Sequence, residues 1–176
     1  MQQSGKARYI GIRGLQLDML REVAAVAPVD NILSYARYNL MIRDLDKRLT
    51  PFAREHGIGL INAAPLHMRI LSEQGAPDWH PADPAAKDAG RKVVERCKAR
   101  GVPVAPLALR FCLDHTYAAC TLVGLASRAQ VNNENLDALE ARLDPELMTE
   151  IEAIVDPVRD HSWPSGRAEN QDREPG

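Results

Sequence analysis

The stretch Cys120 to Asn135, CTLVGLASRAQVNNEN, decides how the rest of the chain is read. It begins as a short apolar strand, Thr121-Leu122-Val123, turns at Gly124 and enters a helix for which Ser127 is the expected N-cap. A strand that hands its C-terminal end to a new helix presents first-turn N–H groups without intrahelical partners, and the helix dipole favours an anion there. Arg128, just past the cap, adds a full positive charge suited to phosphate. An ordinary strand–helix turn with a serine cap has the same residues, so the flanking sequence must separate the two readings.

Upstream, three more strand-like runs precede helical periodicities. Arg8 to Ile12 (RYIGI) is followed by Gly14 and by Leu17, Leu20, Ala24 and Ala27 on one helical face, with Pro28 just beyond. Asn31 to Tyr35 (NILSY) precedes a stripe of Leu45, Leu49 and Phe52 closed by His56-Gly57. Ile58 to Ile61 runs into the loop Asn62-Ala63-Ala64-Pro65-Leu66-His67-Met68, and residues 72–84, SEQGAPDWHPADP, read as a long surface loop. Asp83-Pro84 caps a helix that buries Ala89, Val93, Val94 and Cys97 and closes at Gly101, and a further helix spans about Pro106 to His115. Beyond the 120–135 unit, Leu136, Leu139 and Leu143 continue a helix. Asp144-Pro145 opens another, with Leu147, Ile151, Ile154 and Val155 on its apolar stripe. Residues 156–176 form a polar, irregular tail with one apolar feature, Trp163-Pro164.

Strand–helix alternation of this kind predicts an α/β fold with a parallel sheet and right-handed crossovers. No strand alternates strictly between polar and apolar, so cover on both faces is expected. Four such units suit a small open sheet or half of a (β/α)8 barrel.

At 176 residues and net charge −2, the chain suits one domain with a sizeable core and carries no basic field for nucleic acid. No run approaches the ~18 apolar residues of a membrane span. The opening MQQSGKARY has no signal-peptide apolar core, so a cytoplasmic protein is expected. Cys97, Cys112 and Cys120 lie in apolar contexts without a CxxC pair and are expected to be buried reduced thiols. The histidines show no ligand spacing, so no metal is expected. Arg43 to Arg48 (RDLDKR) reads as a solvated helix face because both signs alternate.

GKARYIGIRG (5–14), LSYARYNLM (33–41), GIGLINAAPLHMRIL (57–71) and TLVGLASRAQV with a following Asn (121–135) together resemble the second half of an aldo-keto reductase barrel. The tail Ser162-Trp163-Pro164-Ser165-Gly166 resembles the branch of aldose dehydrogenases that act on sugars such as L-galactose and L-fucose. The resemblance implies half of a (β/α)8 TIM barrel, strands five to eight with their helices, over residues 1–155, and a tail, 156–176, over the barrel rim. It also implies NAD or NADP bound without a Rossmann motif, and no GxGxxG occurs here.

Carried over by position, Tyr35 falls where the family holds the nicotinamide carboxamide and Ala63 where many relatives stack a Tyr on the ring. Arg13 and Gly14 depart from the usual Ser-Asn pair at the end of strand five. Pro65 and Leu66 match the loop that passes the pyrophosphate, and Gly124, Ala126, Ser127, Arg128 and Gln130 match the phosphate end of the adenosine site. Asn135 resembles the adenine-contacting Asn, one residue late, with Asn133 or Glu134 as the other occupants of that place.

The family's general acid Tyr, with its Lys, Asp and His, comes from strands two to four, so no catalytic residue is assigned in this chain. The opening MQQSGKARYIG resembles the end of helix four, which implies a partial gene product. Tyr38 and His67 lie near strand ends, but no lysine stands near either, so Tyr38 is expected to pack or hydrogen-bond at the barrel rim and His67 to line a loop. Trp79 and Trp163 are candidate rim residues or surface anchors. The expected function is hydride transfer between nicotinamide and a sugar or aldehyde, with this chain carrying the cofactor half. A nucleotide-binding or interaction module without turnover is the other reading. A half-barrel leaves two sheet edges and an inner face bare, which implies marginal stability, self-association or pairing with an N-terminal half.

Overall fold

The computed structural model describes residues 2–125, 127–128 and 135–173, the side chains of Asn135 and Asp137 excepted. Among these, β1 (Gly11–Gly14), β2 (Asn31–Tyr35), β3 (Gly59–Ala63) and β4 (Ala118–Leu122) form one parallel sheet in the order β1-β2-β3-β4. The first strand starts three residues later than RYIGI suggests. Asp30 holds the preceding turn, accepting from the Ile10 N–H at 2.6 Å, so pairing opens only at Gly11 against Asn31. The fourth strand is displaced the other way, because its ladder against β3 starts at Ala118 opposite Leu60 and passes an irregularity before Cys120 meets Ile61.

Between β1 and β2, α1 (Leu17–Val26) buries Leu17, Leu20 and Ala24 on the expected stripe. The stripe Leu45–Leu49–Phe52 belongs to two short helices, α2 (Asp44–Arg48) and α3 (Thr50–Glu55). They break at Leu49 because Pro51 supplies no N–H and suits the first turn of a new helix. After β3, a 3-10 turn (His67–Arg69) leads to α4 (Pro84–Ala99), capped by Asp83, which accepts from the Ala86 N–H at 2.8 Å. Gly90 on α4 carries the loop directly: a Cβ there would stand 2.0 Å from Ile70 Cγ2.

The helix α5 (Val104–Leu113) starts two residues before the expected proline, and α6 (Asn135–Glu140) stops before Leu143. On α6 it is Ala138 that is buried, whereas Leu136 and Leu139 stand 57% and 55% exposed. The last long helix, α7 (Pro145–Val155), is capped by Asp144 and buries Leu147, Ile151 and Val155.

The core lies on one side of the sheet. Ile32, Ser34, Leu60 and Asn62 point into it, and Ile32 and Leu60 pack with Leu17, Leu20, Leu45, Leu49 and Cys112. A second cluster joins Met41, Ile42, Ile70, Leu71 and Val93 to Ile151, Val155 and Trp163. The opposite face carries Leu33, Tyr35, Ile61, Ala63, Cys120 and Leu122, none of them fully buried. Cover on both faces, expected from the unalternating strands, is therefore found on one face only. Cys120 is accordingly exposed while Cys97 and Cys112 are buried, which corrects the expectation of three buried thiols.

Candidate functional site

In parallel α/β sheets ligands gather outside the carboxyl ends of the strands, where loops and helix N-termini converge. Here those ends are Tyr35, Ala63 and Leu122, which lie in register on the uncovered face. Ala36 and Ala64 follow in left-handed conformations (φ 57° and 61°). Their N–H groups reach across to Ala63 O at 2.9 Å and Leu122 O at 3.3 Å, so the loops after β2, β3 and β4 leave the sheet tied side by side.

Of the expected site residues, the structure pairs Tyr35 with Ala63, and Gly124 follows two residues after Leu122 at the end of β4. Pro65 is buried beneath the loop and Leu66 half-buried, while Gly124, Ser127 and Arg128 are exposed. Among the described residues nothing lies within 4 Å of a Cβ built on Gly124. Ala126 and Gln130 lie outside the described residues, as does the side chain of Asn135, whose backbone opens α6.

The loop after β3 is held from inside. His67 is fully buried, and Asn39 fixes its tautomer. Asn39 Oδ1 accepts from the Met41 and Ile42 N–H groups at 2.9 and 3.2 Å, so its Nδ2 is the donor to His67 Nδ1 at 3.0 Å. The proton of His67 therefore sits on Nε2, which has no hydrogen-bond partner among the described residues. Burial drives this imidazole down to about 3, with a further push from His80, so it is neutral. The Trp163 ring meets it edge-on at 5.4 Å, and His80 donates from Nε2 to His67 O at 3.1 Å. His67, Met68 and Arg69 are all left-handed (φ 48°, 52° and 83°), which costs a non-glycine residue about 1–2 kcal/mol each. The expectation that His67 merely lines a loop gives way to a buried anchor.

Arg37 is the second organising residue, and the sequence expectations passed over it. Its side chain is 3% exposed, pairs with both oxygens of Asp44, reaches Asp172 Oδ2 at 2.7 Å, and donates to Leu15 O and Ser162 Oγ at 3.3 and 3.2 Å. Burial opposes the charge, but the two carboxylates outweigh it and hold the guanidinium more firmly protonated than usual. Asp44 is thus a buried partner and Leu45 a core residue, so of RDLDKR only Asp46 and Lys47 form the solvated face it suggested. The tail is drawn in as well: Asp172 Oδ1 accepts from the Asp18 N–H at 2.8 Å, supplying the cap that Gln16 does not give α1. A lone arginine in the apolar run LSYARYNLMI was the available signal, since an isolated charge in a buried stretch demands a partner.

Tyr38 is buried, stacks on Phe111 at 5.3 Å and meets His115 edge-on at 4.4 Å. Burial, with the Asp46 charge, pushes its phenol up to about 12, which suits packing and not proton transfer. Trp163 is buried and Trp79 is 67% exposed, so the two tryptophans divide between anchor and surface. No group of three or more metal-ligating side chains occurs among the described residues, and no described helix is long and apolar enough to cross a membrane.

The arrangement defines an α/β chain whose sheet ends present an open shelf flanked by loops and a cationic residue. The sequence matches the aldo/keto reductase family over residues 1–156, and the chain belongs to that family. It is 41% identical to L-galactose dehydrogenase from Arabidopsis thaliana over 97% of this chain and 55% of that protein. It is 24% identical to probable aldo-keto reductase 1 from Glycine max over 90% of this chain and 49% of that one. An aldo-keto reductase from Bacillus halodurans superposes at 25% identity, with TM-scores of 0.65 and 0.67 for its apo and holo forms, over 87% of this chain. The chain spans about half the length of the relatives it matches.

Proposed function

We propose that residues 1–155 form strands five to eight of a (β/α)8 barrel and supply the cofactor-binding half of an NAD(P)-dependent aldose dehydrogenase, with residues 156–176 crossing its rim. The observation that carries this reading is the row Tyr35–Ala63–Leu122 at the carboxyl ends of the parallel strands, on the sheet face that carries no fully buried side chain among the described residues. A barrel needs that face for its interior, and a nicotinamide ring needs a flat, open floor; Ala63 contributes only a methyl group between Tyr35 and Leu122. The 41% identity to L-galactose dehydrogenase supports a sugar as substrate, with an aldehyde as the wider class.

The residues present fit a dinucleotide at its binding steps. Tyr35 and Ala63 would border the nicotinamide, Pro65 and Leu66 the diphosphate, and Gly124, Ala126, Ser127, Arg128, Gln130 and Asn135 the adenosine end. Bound NAD(P) supplies hydride exchange with the anomeric or carbonyl carbon. These side chains orient and hold; none moves a proton, because Tyr38 is packed away and His67 is neutral and enclosed. Proton transfer falls to the Tyr, Lys, Asp and His of the other four strands. Burial of Tyr38 also favours the second reading, a nucleotide-binding module without turnover, for the chain by itself.

The test is titration of the purified chain with NAD+ and NADP+, followed by calorimetry, with turnover assayed on L-galactose and an aldehyde panel. Binding without turnover by the chain alone, and turnover on adding a half-barrel that bears the four proton-transfer residues, is expected. Turnover by the chain alone that Tyr38→Phe abolishes would overturn the division of labour, and failure to bind either dinucleotide would overturn the assignment itself.

A further inference from the structure

The long loop after β3 borders a hollow that the dinucleotide reading does not use. Ile70, seated on the bare backbone of Gly90, pins the start of the loop to α4. The chain then turns on itself: Ser72 Oγ donates to Arg69 O at 2.8 Å, and the N–H of Gly75, left-handed at φ 72°, donates to Ser72 O at 2.9 Å. It rejoins the helix at Asp83, the cap of α4. Between residues 70–76 and the facing side of α4 lies a cavity of about 540 Å³. A smaller hollow of about 180 Å³ shares Glu73, Val94 and Lys98 with it and runs on to residues 101–104. The larger one falls in the size range of small-molecule sites. None of the residues assigned to the dinucleotide borders either.

The lining gives the occupant its chemistry. Lys87, Arg91, Val94 and Lys98 recur at helical spacing, so one face of α4 forms a wall, and Ile70, Ala76 and Val94 supply the apolar part. The other cations of α4 and its C-cap already hold acids: Arg91 pairs with Asp88 and Glu95, Lys92 with Asp88, Arg96 with Glu150, and Arg100 with Asp144, Glu146 and Glu150. Lys87 and Lys98 have no carboxylate partner among the described residues, and both border the cavity. Glu73 is the unpaired acid of the lining, so two unpaired lysines against one carboxylate leave the hollow net positive. A phosphate calls for an arginine fork, and Arg91 is already engaged by two carboxylates, whereas the point charge of a lysine suits a carboxylate. We infer that this groove binds an organic carboxylate with an apolar body. The body lies on Ile70, Ala76 and Val94 and the carboxylate on Lys98, with Lys87 adding its charge from about 16 Å along the helix. This site is independent of the dinucleotide site, so either can fail alone.

The full chain is titrated by calorimetry with decanoate and with decanol, its uncharged counterpart, and the titrations are repeated on Lys98→Glu, Lys87→Glu and Lys92→Glu. Decanoate is expected to bind, and decanol to bind about tenfold less tightly, the difference being one charge-assisted contact. Lys98→Glu should weaken decanoate about tenfold and Lys87→Glu less. None of these lysines is buried, so the variants should melt close to the parent. Lys92→Glu makes the same change of charge outside the cavity and should leave decanoate affinity unchanged. Leu122→Asp, on the partly exposed sheet face, should leave it unchanged too. Affinity for NAD+ should be the same in Lys98→Glu as in the parent. A parent that does not bind decanoate, equal affinity for decanol, or a loss in Lys92→Glu or Leu122→Asp that matches the loss in Lys98→Glu would overturn this site and leave the dinucleotide reading in place. A parallel loss of NAD+ in Lys98→Glu would overturn its independence by assigning the lysine to the dinucleotide.

Discussion

His67 should make this protein acid-sensitive by an amount that can be worked out in advance. Its imidazole titrates at about 3 when folded, against the ordinary 6.5 of an exposed histidine, chiefly because burial excludes water from the charged form. A folded value below the unfolded one means that the unfolded chain binds the extra proton first. The stability this histidine confers is therefore complete above pH 6.5 and is lost progressively as pH falls toward 3. Between pH 7 and pH 5 the single group accounts for about 2 kcal/mol, at about 1.4 kcal/mol per unit of pH once the unfolded histidine is charged. Urea unfolding followed by circular dichroism measures it. With a slope of about 1–3 kcal/mol per molar urea, the midpoint should move down by about 1 M. Other groups titrate in this range, His80 among them, whose pKa burial also lowers. The informative quantity is thus the difference from His67→Gln, whose amide oxygen can still accept from Asn39 Nδ2. That variant should lose about 2 kcal/mol less between the two pH values. Parallel stability curves for parent and variant would refute the buried, neutral His67.

Three further outcomes follow from packing and charge. Arg37→Met leaves Asp44 and Asp172 without their cation, and should cost about 3–5 kcal/mol by urea unfolding; a loss below about 1 kcal/mol would mean the pair is hydrated. Gly90→Ala places a methyl group 2.0 Å from Ile70 Cγ2, and the resulting cost of about 1–3 kcal/mol should exceed the helix-propensity gain of about 1 kcal/mol, so a stabilised variant would contradict the close contact. In native buffer a thiol reagent should label Cys120 alone, because burial pushes the Cys97 and Cys112 thiols up to about 11 and about 12; labelling of all three without denaturant would contradict this, and protection of Cys120 that grows with protein concentration would report self-association through the partly exposed face.

The linear order of elements was legible because it depends on local rules. Period-3.6 stripes marked α1, α4 and α7, and the Asp83-Pro84 and Asp144-Pro145 pairs marked two helix starts that the folded chain caps with those same carboxylates. Tyr35 closes both the expected run and β2, whereas β3 runs two residues past the expected Ile61, to Ala63. Strand limits were less legible: they depend on which partner residue stands opposite, as Gly11 against Asn31 and Ala118 against Leu60 demonstrate.

What the sequence determined by itself was therefore the α/β alternation, the parallel crossovers and the helix caps, all set by contacts a few residues apart. Only the tertiary structure decided that one sheet face is left partly exposed, that Arg37 gathers Asp44, Asp172 and Ser162, and that His67 is sealed beneath Trp163. Ser162 stands 125 residues from the arginine it receives a bond from. Whether a charge is paired or a leucine exposed depends on what lies beside it in space, and partners so distant in the chain leave no periodicity behind.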